Sequence, residues 1–239
     1  MSGAIRIRIE GKTWPAVAGR PRQQVLGPIA LDIERGSFVV ITGPSGCGKS
    51  TLLNIVAGID KDFSGDVAFN PQRPALTYVF QNPRLLPWRT VSENVALALP
   101  DGDARLARIP DLLARVGLSQ SADVYPERLS LGMQRRADLA RGFVLEPDVL
   151  LMDEPFVSLD DPTARDLRRL LIDLWQRRPT TVLFVTHDRS EAVMLGTRIL
   201  RMGGAPATVI ADTPVTLARE ARLGGAAVIE EQRRIFDTT

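Results

Sequence analysis

The chain has 239 residues, of which 44% are hydrophobic and 24% charged, the balance of a globular protein able to bury a core. With 30 Lys and Arg against 28 Asp and Glu the net charge is +2, too small to argue for a nucleic-acid partner. A single cysteine, Cys47, excludes an internal disulfide, and a single histidine, His187, excludes a multi-histidine metal site.

Residues 1–40 predict antiparallel strands. Ile5, Ile7 and Ile9 alternate with Arg6, Arg8 and Glu10, and Ile29, Leu31 and Ile33 alternate again before a turn at Arg35-Gly36. Between them, KTWPAVAGRPRQQVLGP reads as a Pro/Gly-rich loop carrying Trp14. The N-terminus lacks the apolar block of a secretion signal, and no apolar run approaches the roughly 20 residues of a spanning helix. The expected location is the cytoplasm or the cytoplasmic face of a membrane.

Three apolar runs follow: SFVVITG, DVLLMDE and TTVLFVTHD. Their composition is that of parallel strands buried on both faces. Each ends in polar residues, which an open parallel sheet gathers at one edge, where ligands bind. From Thr90 to Phe143 the spacing turns helical in VSENVALAL, ARIPDLLARVGL and MQRRADLARGF, with breaks expected at Pro110 and Gly117. This stretch reads as a helical insert. The C-terminal PVTLAREARLGGAAVIEEQRRIF predicts one or two amphipathic helices.

Chemistry concentrates at the strand ends. Gly43, Pro44, Ser45, Gly46, Cys47, Gly48, Lys49, Ser50 and Thr51 form GPSGCGKST, which fits G-x-x-x-x-G-K-[ST] between a strand and a helical run. Such a loop curls its N–H groups around phosphate, Lys49 reaches the β- and γ-phosphates, and Ser50 ligates Mg²⁺. Asp153 at the end of DVLLMDE suits Mg²⁺, and Glu154 beside it suits a general base for water. His187 closes the third run, where it can hydrogen-bond a γ-phosphate, although a packed or capping histidine is the competing reading. Ser130 in LSLGMQRR opens a helical run as if to receive an anion.

Taken together and in order, GPSGCGKST, VFQNPRLLPW, LSLGMQRR, VLLMDEP, SLD and VTHD resemble the ATP-binding subunit of an ABC transporter over nearly the whole chain. The resemblance implies an α/β P-loop NTPase fold: a RecA-like parallel-sheet core, an N-terminal antiparallel β subdomain and an inserted helical subdomain. One domain would cover 1–239, with 90–143 as the helical insert and 1–89 with 144–239 as the remainder. It further implies that Gln81 senses Mg²⁺ and the attacking water, that Glu154 is the catalytic glutamate, and that His187 is the switch histidine. Asp160 would be the D-loop aspartate, and Trp14 would stack on adenine. Two subunits of the family pair head to tail, so Ser130 and the Gly132 backbone would serve the ATP held by the partner chain. The cofactors are then ATP and Mg²⁺.

Three departures from the family pattern stand out. Leu131 replaces a glycine in the signature, Arg135 replaces a glutamine, and Thr197 replaces an aspartate. For Leu131 two readings compete, a side chain turned away with the cap intact or a weakened signature. The stretch NPRLLPWRTVSENV resembles importers of the nitrate, sulfonate, taurine and bicarbonate group, in which this surface receives a membrane permease. Pro83, Leu85, Leu86, Pro87 and Trp88 would form that docking cluster, and a solute-binding protein would be an indirect partner. A loop packed back on the helical insert is the alternative for this cluster. A lipid-trafficking or export ATPase stays open, and a nucleic-acid-acting ATPase is disfavoured because the chain has neither a fused second unit nor a coiled-coil insertion.

Overall fold

A computed structural model describes residues 4–16, 21–222 and 225–237. The chain divides into two compact units, Met1–Pro74 with Thr180–Thr239, and Ala75–Pro179. The first unit opens with β1 (Ile5–Trp14), β2 (Gln23–Leu26), β3 (Ile29–Ile33), β4 (Phe38–Thr42), α1 (Lys49–Val56) and β5 (Ser64–Phe69). The second holds β6 (Leu76–Val79), α2 (Val91–Ala96), α3 (Ile109–Arg115), α4 (Leu131–Val144), β7 (Val149–Asp153) and α5 (Asp161–Arg177). The first unit resumes with β8 (Thr181–Val185), α6 (Arg189–Leu195), β9 (Arg198–Gly203), β10 (Thr208–Pro214) and α7 (Ala226–Phe236).

In the first unit, β1 buries Ile5, Ile7 and Ile9 and exposes the charged residues between them, as the period-2 alternation requires. Antiparallel partners β3 and β5 flank it. The strand also runs further than its composition suggested. It continues to Trp14 and pairs with β2, matching Thr13 with Gln24 and Trp14 with Gln23, in a region read from sequence as loop. The physical reason lies 48 residues away. Lys12 points inward in this extension, and its ammonium is accepted by Asp60 Oδ1 at 2.9 Å, so the strand carries a buried charge without leaving it unpaired.

The second layer of this unit is a sheet in the order β10-β9-β4-β8. Every residue of β4 and of β8 is buried, the signature of parallel strands covered on both faces. Phe38 and Phe184 pack their rings at 5.8 Å in its interior. β4 runs parallel to both β8 and β9, and β10 closes antiparallel on β9. The C-terminal helix α7 packs on α6 and buries Val228 and Ile235.

In the second unit β6 and β7 pair in parallel, Leu76 opposite Val149 through Val79 opposite Met152. The helical insert expected over 90–143 lies within this unit, around a core that includes Val91, Val95, Leu113, Val116, Ala137 and Ala140. Pro110, expected to break a helix, instead sits in the first turn of α3. The N–H it lacks has no intrahelical acceptor there, so it starts the helix rather than ending it. Gly117, with φ 72°, follows the end of α3 as expected. Helix α5 buries Ala164, Leu167, Leu171, Leu174 and Trp175 along one stripe. Among the described residues no helix is long and apolar enough to cross a membrane.

Candidate nucleotide site

Strand β4 delivers the chain into the loop Gly43–Gly48. Gly48, at φ 105°, is the N-cap of α1, and a Cβ there would come within 2.7 Å of Leu26 Cδ2. The loop can turn this tightly against β2 only with glycine. Gly46, at φ 76°, has nothing within 4 Å of the position a Cβ would take, so this part of the loop faces open space. The Cys47 N–H donates to the Pro44 carbonyl at 3.3 Å. Lys49 is buried and spans the loop, its Nζ donating to the carbonyls of Gly43 and Pro44 at 2.9 Å each. No side chain caps α1, which leaves its first-turn N–H groups for an anion, with Ser50 exposed beside them and Thr51 half-buried. Pro44 and Ser45 are exposed.

His187 lies at the same strand-end edge. Ile41 pairs with Val185, and the Thr186 N–H donates to the Ile41 carbonyl, so the residues after β4 and after β8 leave the sheet side by side. The turn that carries His187 is fixed from within. The Thr186 hydroxyl donates to Glu191 at 2.7 Å, and the Asp188 carboxylate caps α6 by accepting from the Ser190 and Glu191 N–H groups. His187 itself is exposed. Thr197, where the family pattern has aspartate, bonds both backbone groups of Phe38, accepting from its N–H at 3.0 Å and donating to its carbonyl at 3.1 Å. It ties the start of β4 to the start of β9.

Trp14 is 45% exposed and lines an open pocket of about 1060 Å³ with Lys12, Pro15, Asn54 and Ile59. No residue from 43 to 51 lines that pocket. The link to the phosphate loop is through β2, whose Gln23 pairs with Trp14 and whose Val25 and Leu26 abut Gly48.

The second unit carries the acidic and signature residues. Because Val79 pairs with Met152, Gln81 and Asp153 follow at one edge of the β6–β7 pair. The Tyr78 hydroxyl donates to Asp153 Oδ2 at 3.5 Å, and burial with the neighbouring carboxylate raises the Tyr78 pKa. Gln81 is exposed, whereas Asp153 and Glu154 are half-buried. Glu154 has φ 44°, a left-handed conformation uncommon for a residue with a side chain, and Ser158 four residues on has φ 64°. Strain of this kind clusters at functional sites. Asp160 caps α5 by accepting from the Thr163 N–H at 3.2 Å. The hydroxyl and N–H of Thr163 hold its carboxyl below the usual range.

Ser130 caps α4 and accepts from the Met133 N–H at 3.3 Å. Leu131 is the first residue of the helix, with its side chain 40% exposed. The side chain turns out to solvent and the cap is intact. Arg135, in place of the family glutamine, is buried and donates to the Phe80 carbonyl next to Gln81.

The cluster from Pro83 to Trp88 divides. Leu85 packs on the helical core, and Leu86 is half-buried, with its N–H donating to Asn94 Oδ1 at 2.7 Å. Asn94 is fully buried and donates in turn to the carbonyls of Leu86, Arg89 and Thr90. Pro87 is exposed, and Trp88 stands out at 68% exposure on this pinned loop. Sequence reasoning missed Asn94, although the adjacent T-x-x-E spacing was a signal, since Thr90 and Glu93 form a capping box at the start of α2.

Comparison with known proteins agrees with this geometry. Residues 26–157 match the family model described as ABC transporter. The aliphatic sulfonates import ATP-binding protein SsuB of Mycobacterium sp. (strain MCS) is 47% identical over 205 residues, covering 84% of this chain and 79% of that protein. SsuB 2 of Burkholderia lata is 43% identical over 200 residues, covering 82% and 73%. Among solved structures, a dimeric form of the ATP-binding cassette MJ0796 in a post-hydrolysis state with ADP and Pi superposes with a TM-score of 0.76 at 30% identity, over 90% of this chain and 100% of that one. With the phosphate loop, the paired acidic residues and the capped signature helix all present in its sequence order, the chain belongs to the ABC transporter family as an ATP-binding, ATP-hydrolysing subunit.

Proposed function

We propose that this chain powers the import of an aliphatic sulfonate or a related small solute by driving a membrane permease with ATP. The supporting observation is the intact Ser130 cap on α4, within a chain more than 40% identical to sulfonate import subunits. Two copies pair head to tail in this reading, and the similar solved cassettes are dimeric. Each copy supplies Ser130 and the N-terminus of α4 to the γ-phosphate bound by the other.

Within one site, the loop from Gly43 to Thr51 binds the phosphates, with Lys49 turning from its carbonyl partners to the β- and γ-oxygens. Ser50, Asp153 and Gln81 offer hydroxyl, carboxylate and amide oxygens, the hard donors that suit Mg²⁺. The ion, when bound, neutralises charge developing on the phosphoryl oxygens. Glu154 accepts the proton of the attacking water, His187 hydrogen-bonds the γ-phosphate, and Asp160 faces the partner chain. Trp14 stacks on adenine. The loop bearing Trp88 receives the permease at the cytoplasmic face of the membrane, and the solute-binding protein acts on the far side of that permease.

The test is the mass of Glu154→Gln by light scattering on a sizing column, with and without Mg-ATP. A dimer that forms only with ATP, and is lost when Ser130→Arg is added, supports the shared site. An ATP-binding variant that stays monomeric at every concentration, alone and with permease vesicles, overturns it. The substrate class is tested separately: deleting the gene should abolish uptake of a labelled alkanesulfonate and leave sulfate uptake unchanged.

A further inference from the structure

The signature of this chain keeps its second glycine and has lost its first. Leu131 shows why the first is dispensable: it is an ordinary first-turn helical residue with its side chain in solvent. Gly132 needs a different explanation. Its φ is outside the left-handed region, so no backbone conformation demands glycine. Space demands it. A Cβ at 132 would lie 2.7 Å from Thr163 Cγ2, and real Cβ atoms do not approach that closely.

Thr163 stands between two capped helix starts. Its N–H donates to Asp160 at the start of α5. Its methyl covers Gly132 in the first turn of α4, and Ser130 Oγ is 4.0 Å from where the glycine's Cβ would be. The side chain is β-branched, so the methyl is confined to few rotamers. We propose that Thr163 is a positioning residue: held by Asp160, it seats the N-terminus of α4 through Gly132 and thereby sets where the Ser130 hydroxyl is presented. Within the chain, it is this approach that requires glycine at 132.

The functional half of this inference rests on the shared-site reading above, whereas the packing half does not. The informative variant is Thr163→Ser, which keeps a hydroxyl and removes only the methyl. Gly132→Ala, Thr163→Ser and their combination are compared in two measurements. The first is thermal unfolding of the full chain. Gly132→Ala lowers the melting midpoint by about 3 °C despite the better helix propensity of alanine. In the Thr163→Ser background the same change raises the midpoint, a reversal that additive, uncoupled positions do not produce.

The second measurement is ATP-dependent dimerisation in the Glu154→Gln background. Gly132→Ala shifts the ATP concentration for half-dimerisation upward by about tenfold, Thr163→Ser, which loosens the seat of α4, shifts it upward by about threefold, and the combination returns to the level of Thr163→Ser alone. A folded double variant that dimerises as poorly as Gly132→Ala would overturn the proposal, because the glycine would then be required by the partner's nucleotide. A harmless Gly132→Ala in both measurements would overturn it as well. Should Glu154→Gln itself fail to dimerise, the shared-site reading falls, and the reversal in melting still decides the packing claim.

Discussion

The Lys12 ammonium lies 4.6 Å from the centroid of the Trp14 ring and 2.9 Å from Asp60 Oδ1, with Asp62 as a second carboxylate partner at 3.4 Å. A buried lysine thus links the end of β1 to the chain that follows α1. Burial pulls its pKa down, and the bonds to Asp60 and Asp62 outweigh that and raise it. The charge stays on and braces one face of Trp14.

Replacing Lys12 with Met should cost about 2 kcal/mol, since a nearly buried Asp60 loses its cation, and urea unfolding at neutral pH measures this. Weaker bracing of Trp14 should also raise the dissociation constant for ATP about threefold with kcat near its original value. An unchanged ATP affinity in a folded variant would separate Trp14 from adenine binding.

Acid should weaken the C-terminal packing through Glu231. Bonds from Arg234, and from the N–H and hydroxyl of Thr216, lower its pKa to about 2 against an ordinary 4.5. The folded carboxyl has the lower pKa, so the unfolded chain binds the proton more tightly. Its stabilisation, about 3 kcal/mol, is complete above pH 4.5 and disappears as pH falls towards 2. Denaturant curves of the native chain and Glu231→Gln should therefore differ most at neutral pH and converge below pH 3.

Cys47 sits half-buried in the phosphate loop with its Sγ 3.1 Å from the place a Gly43 Cβ would occupy. A maleimide adduct there would block the loop. Alkylation should abolish ATP hydrolysis, and saturating ATP should slow the modification at least about tenfold by covering the thiol. Equal rates of modification with and without nucleotide, followed by mass spectrometry, would place ATP elsewhere.

Trp88 projects from a loop that Asn94 holds at four points, so its exposure is not a product of slack chain. Trp88→Ala should leave the ATPase rate of the isolated subunit unchanged and weaken association with permease-containing vesicles by about 30-fold, the loss typical of a buried aromatic anchor. The comparison of free and vesicle-stimulated ATPase rates checks both halves.

The sequence by itself determined five of the strands, β1, β3, β4, β7 and β8, together with the motifs and their order. Period-2 alternation in β1, unbroken apolar runs in β4, β7 and β8, and the G-x-x-x-x-G-K-[ST] spacing are local, and local pattern reports which residues are buried. It also marked Glu154 and His187 by their places at strand ends, and Ser130 as a cap. The tertiary structure decided what those residues lean on. The pairing of β1 with β2 carries a buried Lys12 that Asp60 neutralises, Asn94 fixes the Trp88 loop, and Gly132 answers to a methyl 31 positions away. The first and third depend on a residue far along the chain arriving at contact distance, and the second on a buried amide folding back over its own neighbours. Periodicity carries the direction of a side chain but not the identity of its neighbour across the core, and only packing supplies the second.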